Sequence, residues 1–378
     1  TGKDDATTIS VTAADTAVTE DDAGNNTASG TVSISDPDTG EGALASSTAN
    51  YGTVTVDGSG NWTYALDNTN ASVQALAAGD TLIDTITFTS DDGTTQTQNI
   101  TITGANDAAT ISVTATDTAV TEDDAGNTTA SGTVSISDPD TGEGSLASRT
   151  ANYGVVTVDG SGNWTYTLDN TNAAVQALAA GDTLIDTITF TSDDGSTETQ
   201  NITITGSNDA ATINLTAADT AVTEDDASNN TASGTVSFSD PDTGEGTLAS
   251  SAATYGTVTV DGSGNWTYTL DNSAPVVQAL AAGDTLADTI IFTSDDGTTQ
   301  TVSITITGAN DAAVIGGDTT AAVSEDGTLT DSGALTISDA DSGEAVFVAQ
   351  SSAASTNGYG TVDLDSAGNW TYSLDNSN

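Results

Sequence analysis

Cysteine, histidine and methionine are missing altogether, and the 378 residues contain a single lysine, Lys3, and a single arginine, Arg149. Without cysteine there is no disulfide and no thiolate metal site, so any staple must be of another kind. Acid–base chemistry near neutral pH usually recruits His, Cys or Lys. Only Lys3 is available, and no catalytic role is expected. Paired carboxylates can hydrolyse glycosides, but pairs that recur in every unit with their scaffold, beside no evident cleft, do not describe an enzyme. No apolar run approaches the roughly 18 residues of a membrane span and no signal peptide is visible. The lack of methionine leads us to expect an interior piece of something longer.

Against those two cations stand 55 Asp and Glu residues, a net charge of −53. Four domains end to end would span roughly 150 Å and carry a charge about every 3 Å; DNA, with one per about 1.7 Å, condenses counterions. A cation-loaded polyanion is therefore expected. Nucleic acid and an anionic bilayer are excluded as direct partners on sign alone. Acidity with few aromatics also describes disordered chains. Here, however, the apolar residues keep a phase of two, as in Thr31-Val32-Ser33-Ile34-Ser35 and Thr53-Val54-Thr55-Val56, which is how half-buried strands read.

That pattern recurs. Trp62, Trp164, Trp266 and Trp370 are spaced by 102, 102 and 104 residues, and Glu20-Asp21-Asp22 returns as Glu122-Asp123-Asp124, Glu224-Asp225-Asp226 and, weakened, Glu325-Asp326. Units of this length are domains rather than solenoid repeats. We divide the chain at residues 1–105, 106–207, 208–309 and 310–378. In the second unit, strands are expected at Thr110–Val120, Thr133–Ser137, Tyr153–Val158, Trp164–Leu168, Leu184–Thr191 and Thr199–Thr205, with turns at Asp138-Pro139-Asp140-Thr141-Gly142, Asp159-Gly160-Ser161-Gly162 and Asp193-Asp194-Gly195. Six or seven short strands per hundred residues predict an all-β chain of Greek-key β-sandwiches, immunoglobulin-like in topology. Asn172–Gly181 is the one helix candidate, of a turn or two. Trp164, Tyr166, Leu168, Ile188 and Phe190 are the expected core, so the tryptophans are read as core and not as sugar platforms.

In such a topology the Asp138/Asp140 loop and the Asp193 loop meet the linker Asn106-Asp107, while the preceding domain offers Glu20, Asp22 and Asp67. Carboxylates and amide oxygens from two domains then converge on one joint. The same reading gives Glu122, Asp124 and Asp169 with Asn208, Asp209, Asp240, Asp242 and Asp295, then Glu224, Asp226 and Asp271 with Asn310, Asp311, Asp339 and Asp341. At the entry of the first unit it gives Asp4, Asp5, Asp36, Asp38 and Asp91. Ca²⁺ takes about six to eight oxygens in flexible geometry and fits this donor set; imidazole- or thiolate-preferring metals find no ligands. Asp, Asn and Gly are also what turns use, and for Asp57-Gly58-Ser59-Gly60-Asn61 a hairpin turn is the expected role.

These residues carry a resemblance. A Glu near the end of the first strand, an Asx-Asp linker and a D-x-D loop after the second strand resemble the calcium motifs of cadherin-type domains. The fuller pattern, with its GNWTYxLDN and VQALxxGDTL blocks, resembles the VCBS-type repeats of giant bacterial surface adhesins of the repeats-in-toxin class, over nearly all of the chain. The resemblance implies a tandem rod of cadherin-like sandwiches, exported by type I secretion, stiffened by Ca²⁺ and projecting a distal adhesive domain from a bacterial surface. Its direct partners would be neighbouring repeats of the same long chain. A carbohydrate- or matrix-binding module is the alternative. The fourth unit has the altered motifs Ser324-Glu325-Asp326-Gly327 and Asp339-Ala340-Asp341 and ends at Asn378 before a VQAL segment. That leaves either a fragment or a filament subunit completed by a strand from another chain.

Overall fold

The structure is a computed structural model that describes residues 5–40 and 42–377; the candidate ligand Asp4 lies outside the described residues. The chain forms two compact units, Thr1–Ser207 and Asn208–Asn378. Each is described by itself.

The first repeat has eight strands: β1 (Thr8–Asp15), β2 (Ala17–Thr19), β3 (Thr27–Ser35), β4 (Leu44–Thr48), β5 (Gly52–Val56), β6 (Asn61–Leu66), β7 (Thr81–Ser90) and β8 (Thr95–Thr103). They make two four-stranded sheets, in the orders β1-β3-β6-β5 and β2-β8-β7-β4. Period-two alternation sends one face of each sheet inward. Trp62 and Tyr64 from β6 meet Ile86 and Phe88 from β7 and Ile100 and Ile102 from β8, all fully buried. The Trp62 and Phe88 ring centroids are 6.2 Å apart at 53°. The second and third repeats reproduce this core around Trp164 and Trp266. The first three repeats are thus Greek-key β-sandwiches of immunoglobulin-like topology, repeated in tandem.

Three local details differ from the sequence reading. The expected strand Thr110–Val120 breaks at Thr118 into Thr110–Asp117 and Ala119–Thr121. Asp117 accepts the Ala119 N–H at 3.0 Å, and the turned chain joins the second sheet, parallel to Thr203–Thr205. A further strand, Leu146–Thr150, lies at the sheet edge with little of it covered, and so carries no alternating pattern. Asn172–Gly181 forms successive turns with one i to i+4 bond, Gln176 N–H to the Asn172 carbonyl at 3.0 Å, and no helix.

A buried carboxylate anchors each sandwich. Asp186 accepts the N–H groups of Asn152 and Tyr153 at 2.9 and 2.8 Å and the Tyr166 hydroxyl at 2.9 Å. Burial, then the Asp186 hydrogen bond and charge, hold the Tyr166 phenol far above its usual range. Asp84 and Asp288 do the same for Tyr64 and Tyr268.

The fourth segment is one five-stranded sheet ordered Val314–Gly317, Thr330–Ser338, Asn369–Leu374, Gly360–Leu364, Gln350–Ala354. Its last strand pairs with Gly360–Leu364, whereas the equivalent Leu146–Thr150 pairs with Thr183–Ser192 in the second sheet of its repeat. Among the described residues no strand corresponds to Thr183–Ser192, and the backbone groups of Gln350–Ala354 pair with Gly360–Leu364 instead.

Candidate metal centre

Within the first unit, the end of β2 supplies one half of the site. The Glu20 N–H donates to the Thr103 carbonyl at 2.9 Å, continuing the parallel pairing, and its side chain is 1% exposed. Gln74 Nε2 donates to Glu20 Oε1 at 2.7 Å and the Ala105 N–H to Oε2 at 3.4 Å. Burial pushes this carboxyl up against those bonds, and the charges of Asp107 and Asp21 push it further. Asp21 sits in the left-handed region at φ 52°, unusual for a residue with a Cβ. It is held there by Asn68, whose Oδ1 accepts the Asp21 N–H at 3.0 Å and whose Nδ2 donates back to Asp21 Oδ1. Asp123, Asp225 and Asp326 repeat the conformation at φ 53°, 54° and 55°.

The linker and the second repeat supply the other half. The Asp107 N–H donates to Asp140 Oδ2 at 2.9 Å, and the Asp140 N–H to Asp138 Oδ1 at 2.9 Å. Burial raises the Asp107 carboxyl, with further contributions from the charge of Asp21 across the joint and then from Asp140 and Asp138. Asp107 Oδ2, Asp138 Oδ2 and Asp140 Oδ1 are buried without a hydrogen-bond partner, and Asp140 is 3% exposed. Glu143 leans toward the same cluster, its carboxyl raised by partial burial and by Asp140, Asp138, Asp194 and Asp193. The second unit repeats the arrangement. The Asp311 N–H donates to Asp341 Oδ2 at 2.9 Å, Asp225 raises the Asp311 carboxyl after burial, and Asp311 Oδ2 and Asp341 Oδ1 lack partners. Asp240 Oδ2, Asp242 Oδ1 and Glu245 Oε2 are likewise buried and unpartnered.

The remaining candidate ligands make hydrogen bonds of their own, some within a turn and some to distant residues. Asp22, Asp124 and Asp226 accept the N–H of Gly24, Gly126 and Ser228 at 2.8, 2.9 and 2.9 Å. Asp67, Asp169 and Asp271 are exposed and held below the usual range by the hydroxyl and N–H of Thr69, Thr171 and Ser273. Asp193 pairs with the Ser145 hydroxyl, Asp295 with Thr247, and Asp91 with the Gly42 N–H. The Asn106, Asn208 and Asn310 amides donate to the carbonyls of Asp107, Asp209 and Asp311. Glu122 receives Gln176 Nε2, and the Asp209 N–H donates to Asp242. At the first entry, the Asp5 N–H donates to Asp38, the Asp38 N–H to Asp36, and the Thr7 hydroxyl to Asp36. Asp341 turns on Asp339 at 3.0 Å. Asp57 accepts the N–H of Ser59 and Asn61, which makes it a hairpin residue.

The linker is also clasped. The Ala109 N–H donates to Asp194 Oδ2 at 2.9 Å, and Asp194 takes further bonds from Ser192 and Ser196 that hold it far below the usual carboxylate range. Sequence reasoning named Asp193 and passed over Asp194, Asp21 and Glu143. The missed signal for Asp21 was the Asp21/Asn68 pair, which returns as Asp123/Asn170 and Asp225/Asn272.

Buried carboxylate oxygens with no donor are costly unless a cation meets them. The one described cationic side chain, Arg149, is used elsewhere, its Nε donating to the Val156 carbonyl at 3.3 Å. The donor set is oxygen throughout and suits a hard, flexible cation such as Ca²⁺. Among the described residues no group of three or more acidic side chains forms a metal cage as it stands.

Residues 208–308 match the family model of the bacterial cadherin-like domain. No curated protein matches the chain. The chain is similar to solved structures that include protocadherin gamma B2 extracellular cadherin domains 3–6, at 14% identity over 98% of this chain and 93% of that one, with a TM-score of 0.40. A protocadherin gammaB7 EC3–6 cis-dimer matches at 14% over 97% and 93%, TM-score 0.42. The human desmocollin-1 ectodomain matches at 13% over 98% and 74%, TM-score 0.30. Among the described residues, no helix is long and apolar enough to cross a membrane.

Proposed function

We propose that the chain is a non-catalytic extender of a bacterial cell-surface adhesin, its cadherin-like repeats stiffened by Ca²⁺ at the joints so that they hold a distal adhesive domain away from the cell. The observation that carries this is Asp107. Its half-buried carboxylate feels the charges of Asp21 in the repeat before and of Asp140 and Asp138 in the repeat after, and its Oδ2, like Asp138 Oδ2 and Asp140 Oδ1, is buried with no donor. Glu20, Asp21, Asp107, Asp138, Asp140 and Glu143 are the residues that would hold the ion, with Asp225, Asp311, Asp339 and Asp341 in the second unit.

A bound divalent cation would supply the positive charge that lets these carboxylates stay together. The residues do the rest. Gln74 fixes Glu20 and Asn68 fixes Asp21, while the Asp107 N–H ties the linker to Asp140. The matched family model, the acidic composition and the buried tryptophans favour a spacer over an enzyme or a sugar binder. An extracellular setting and secretion by a type I route belong to the same reading.

Extracellular modules bind Ca²⁺ at about 10⁻⁴ to 10⁻³ M. Calorimetric titration and small-angle scattering of the whole chain test the proposal. We expect saturable uptake in that range and a more extended profile in millimolar calcium than in chelator. Superimposable scattering in the two conditions overturns it.

A further inference from the structure

Each described joint also contains a contact that uses no carboxylate from either repeat. The loop 67–80 is anchored by Val73, fully buried in the first core. At its end the Gly79 N–H donates to the Gly104 carbonyl at 3.2 Å and the Gly104 N–H to the Asp80 carbonyl at 2.9 Å. This pins the loop to the root of the linker. The fit demands glycine, because a Cβ at Gly104 would lie 2.4 Å from the Leu76 carbonyl oxygen. So fixed, the loop presents the Ala75 carbonyl to the next repeat, whose Thr141 N–H donates to it at 3.1 Å.

The second unit makes the same contact with a different sequence. Val277 is buried, the Gly283 N–H donates to the Gly308 carbonyl at 3.2 Å, and the Ala279 carbonyl receives the Ser342 N–H at 3.2 Å. The receiving loops are Asp138-Pro139-Asp140-Thr141 in one case and Asp339-Ala340-Asp341-Ser342 in the other. What they share at the contact is a backbone donor, displayed by an Asp that turns on the Asp two residues before it.

We propose that the loop 67–80, and its equivalent 271–284, is a docking surface for the D-x-D loop of the repeat that follows, recognising that loop through its backbone and without an intervening ion. The partner it fits is any repeat of this chain that displays a D-x-D turn followed by a residue with a free N–H. Divergent repeats then become interchangeable along the array, and removing the cation loosens a joint without releasing it. The contact is separate from the cation-binding reading, since neither of its two atoms belongs to a carboxylate.

Amide hydrogen exchange on the full chain, in calcium and in chelator, decides the matter, with calcium uptake measured on the same samples. The Thr141 and Ser342 amides should exchange at least about tenfold more slowly than unstructured-peptide rates in both conditions. Exchange at the peptide rate in chelator overturns the docking proposal. A chain that takes up no calcium yet protects these amides would instead overturn the cation reading and support docking.

Discussion

The Asp107 N–H donates to Asp140 Oδ2 at 2.9 Å, although both residues carry carboxylates and Asp107 is pushed up partly by Asp140. The backbone bond draws together what charge would separate. An arrangement of this kind stores repulsion that a cation relieves, and its two partners therefore respond oppositely to charge removal with and without the ion.

Asp140→Asn keeps an oxygen to accept the Asp107 N–H and removes one negative charge. In chelator the variant should melt slightly higher than the parent, because a buried like-charge contact is gone. In calcium it should bind about tenfold more weakly, or about 1.4 kcal/mol, and lose most of the calcium-induced rise in Tm. Thermal scans in both conditions check the crossover. A variant less stable than the parent in chelator speaks against the stored repulsion.

Acid should act in two directions. Asp92, Asp194 and Asp296 are depressed by their hydrogen bonds, so they bind fewer protons folded than unfolded. Their contribution is full above the ordinary carboxylate range and is lost as pH falls through the depressed values. Glu20, Asp107 and Glu143 are raised, so in chelator they favour the folded joint below that range and lose this as pH rises through the raised values. The expected profile in chelator is a gain in Tm from pH 7 down toward the carboxylate range, then a fall below it. Calcium should abolish the gain and leave the fall. A flat chelator profile above the carboxylate range would contradict the raised groups.

Much of the sandwich is legible in the sequence because period two is a local signal: Trp164, Tyr166 and Leu168 alternate with Thr165 and Thr167 and do point inward. Leu146–Thr150 was illegible because an edge strand buries too little to impose a pattern. For the site, the sequence reading sets Asn106-Asp107 beside Asp138 and Asp140, and the Asp107 N–H does donate to Asp140. The choice between adjacent acids does not follow from that reading. Asp21 faces Asp107 and Asp22 caps Gly24 because Asp21 takes a positive φ, which depends on a bond to Asn68, 47 residues away. A close approach set by a distant partner leaves no mark in the local pattern.

Asp186 should be more costly to remove than any joint carboxylate. Asp186→Ala strands two part-buried N–H groups and the buried Tyr166 hydroxyl, and each bond left unmade away from water costs about 1–3 kcal/mol. One of the chain's unfolding transitions should lose about 3 kcal/mol or more, equally in calcium and in chelator. Tyr166→Phe, which removes one donor and leaves the two N–H bonds, should lose about 1 kcal/mol. Denaturant titration read by tryptophan fluorescence separates the two, and equal losses would contradict a shared anchor.

Glycine 132 offers the sharpest test of the core. A Cβ there would lie 2.0 Å from the Thr114 carbonyl oxygen and 2.7 Å from the Trp164 ring, while one at Gly160, in the exposed hairpin turn, meets nothing within 4 Å. The missing Cβ leaves room for the Trp164 ring against the strand Thr129–Ser137, with the Phe190 ring 6.3 Å away between centroids. Carbonyl and ring both belong to a packed sheet, so neither yields without moving a strand, and overpacking of this kind costs about 1–3 kcal/mol. Gly132→Ala should therefore lower the second repeat's transition by that amount and alter the Trp164 emission. Gly160→Ala should change neither. If Gly132→Ala is as mild as Gly160→Ala, the tryptophan does not seat on the strand as described, and the core that aligns the joint residues is looser than the structure shows.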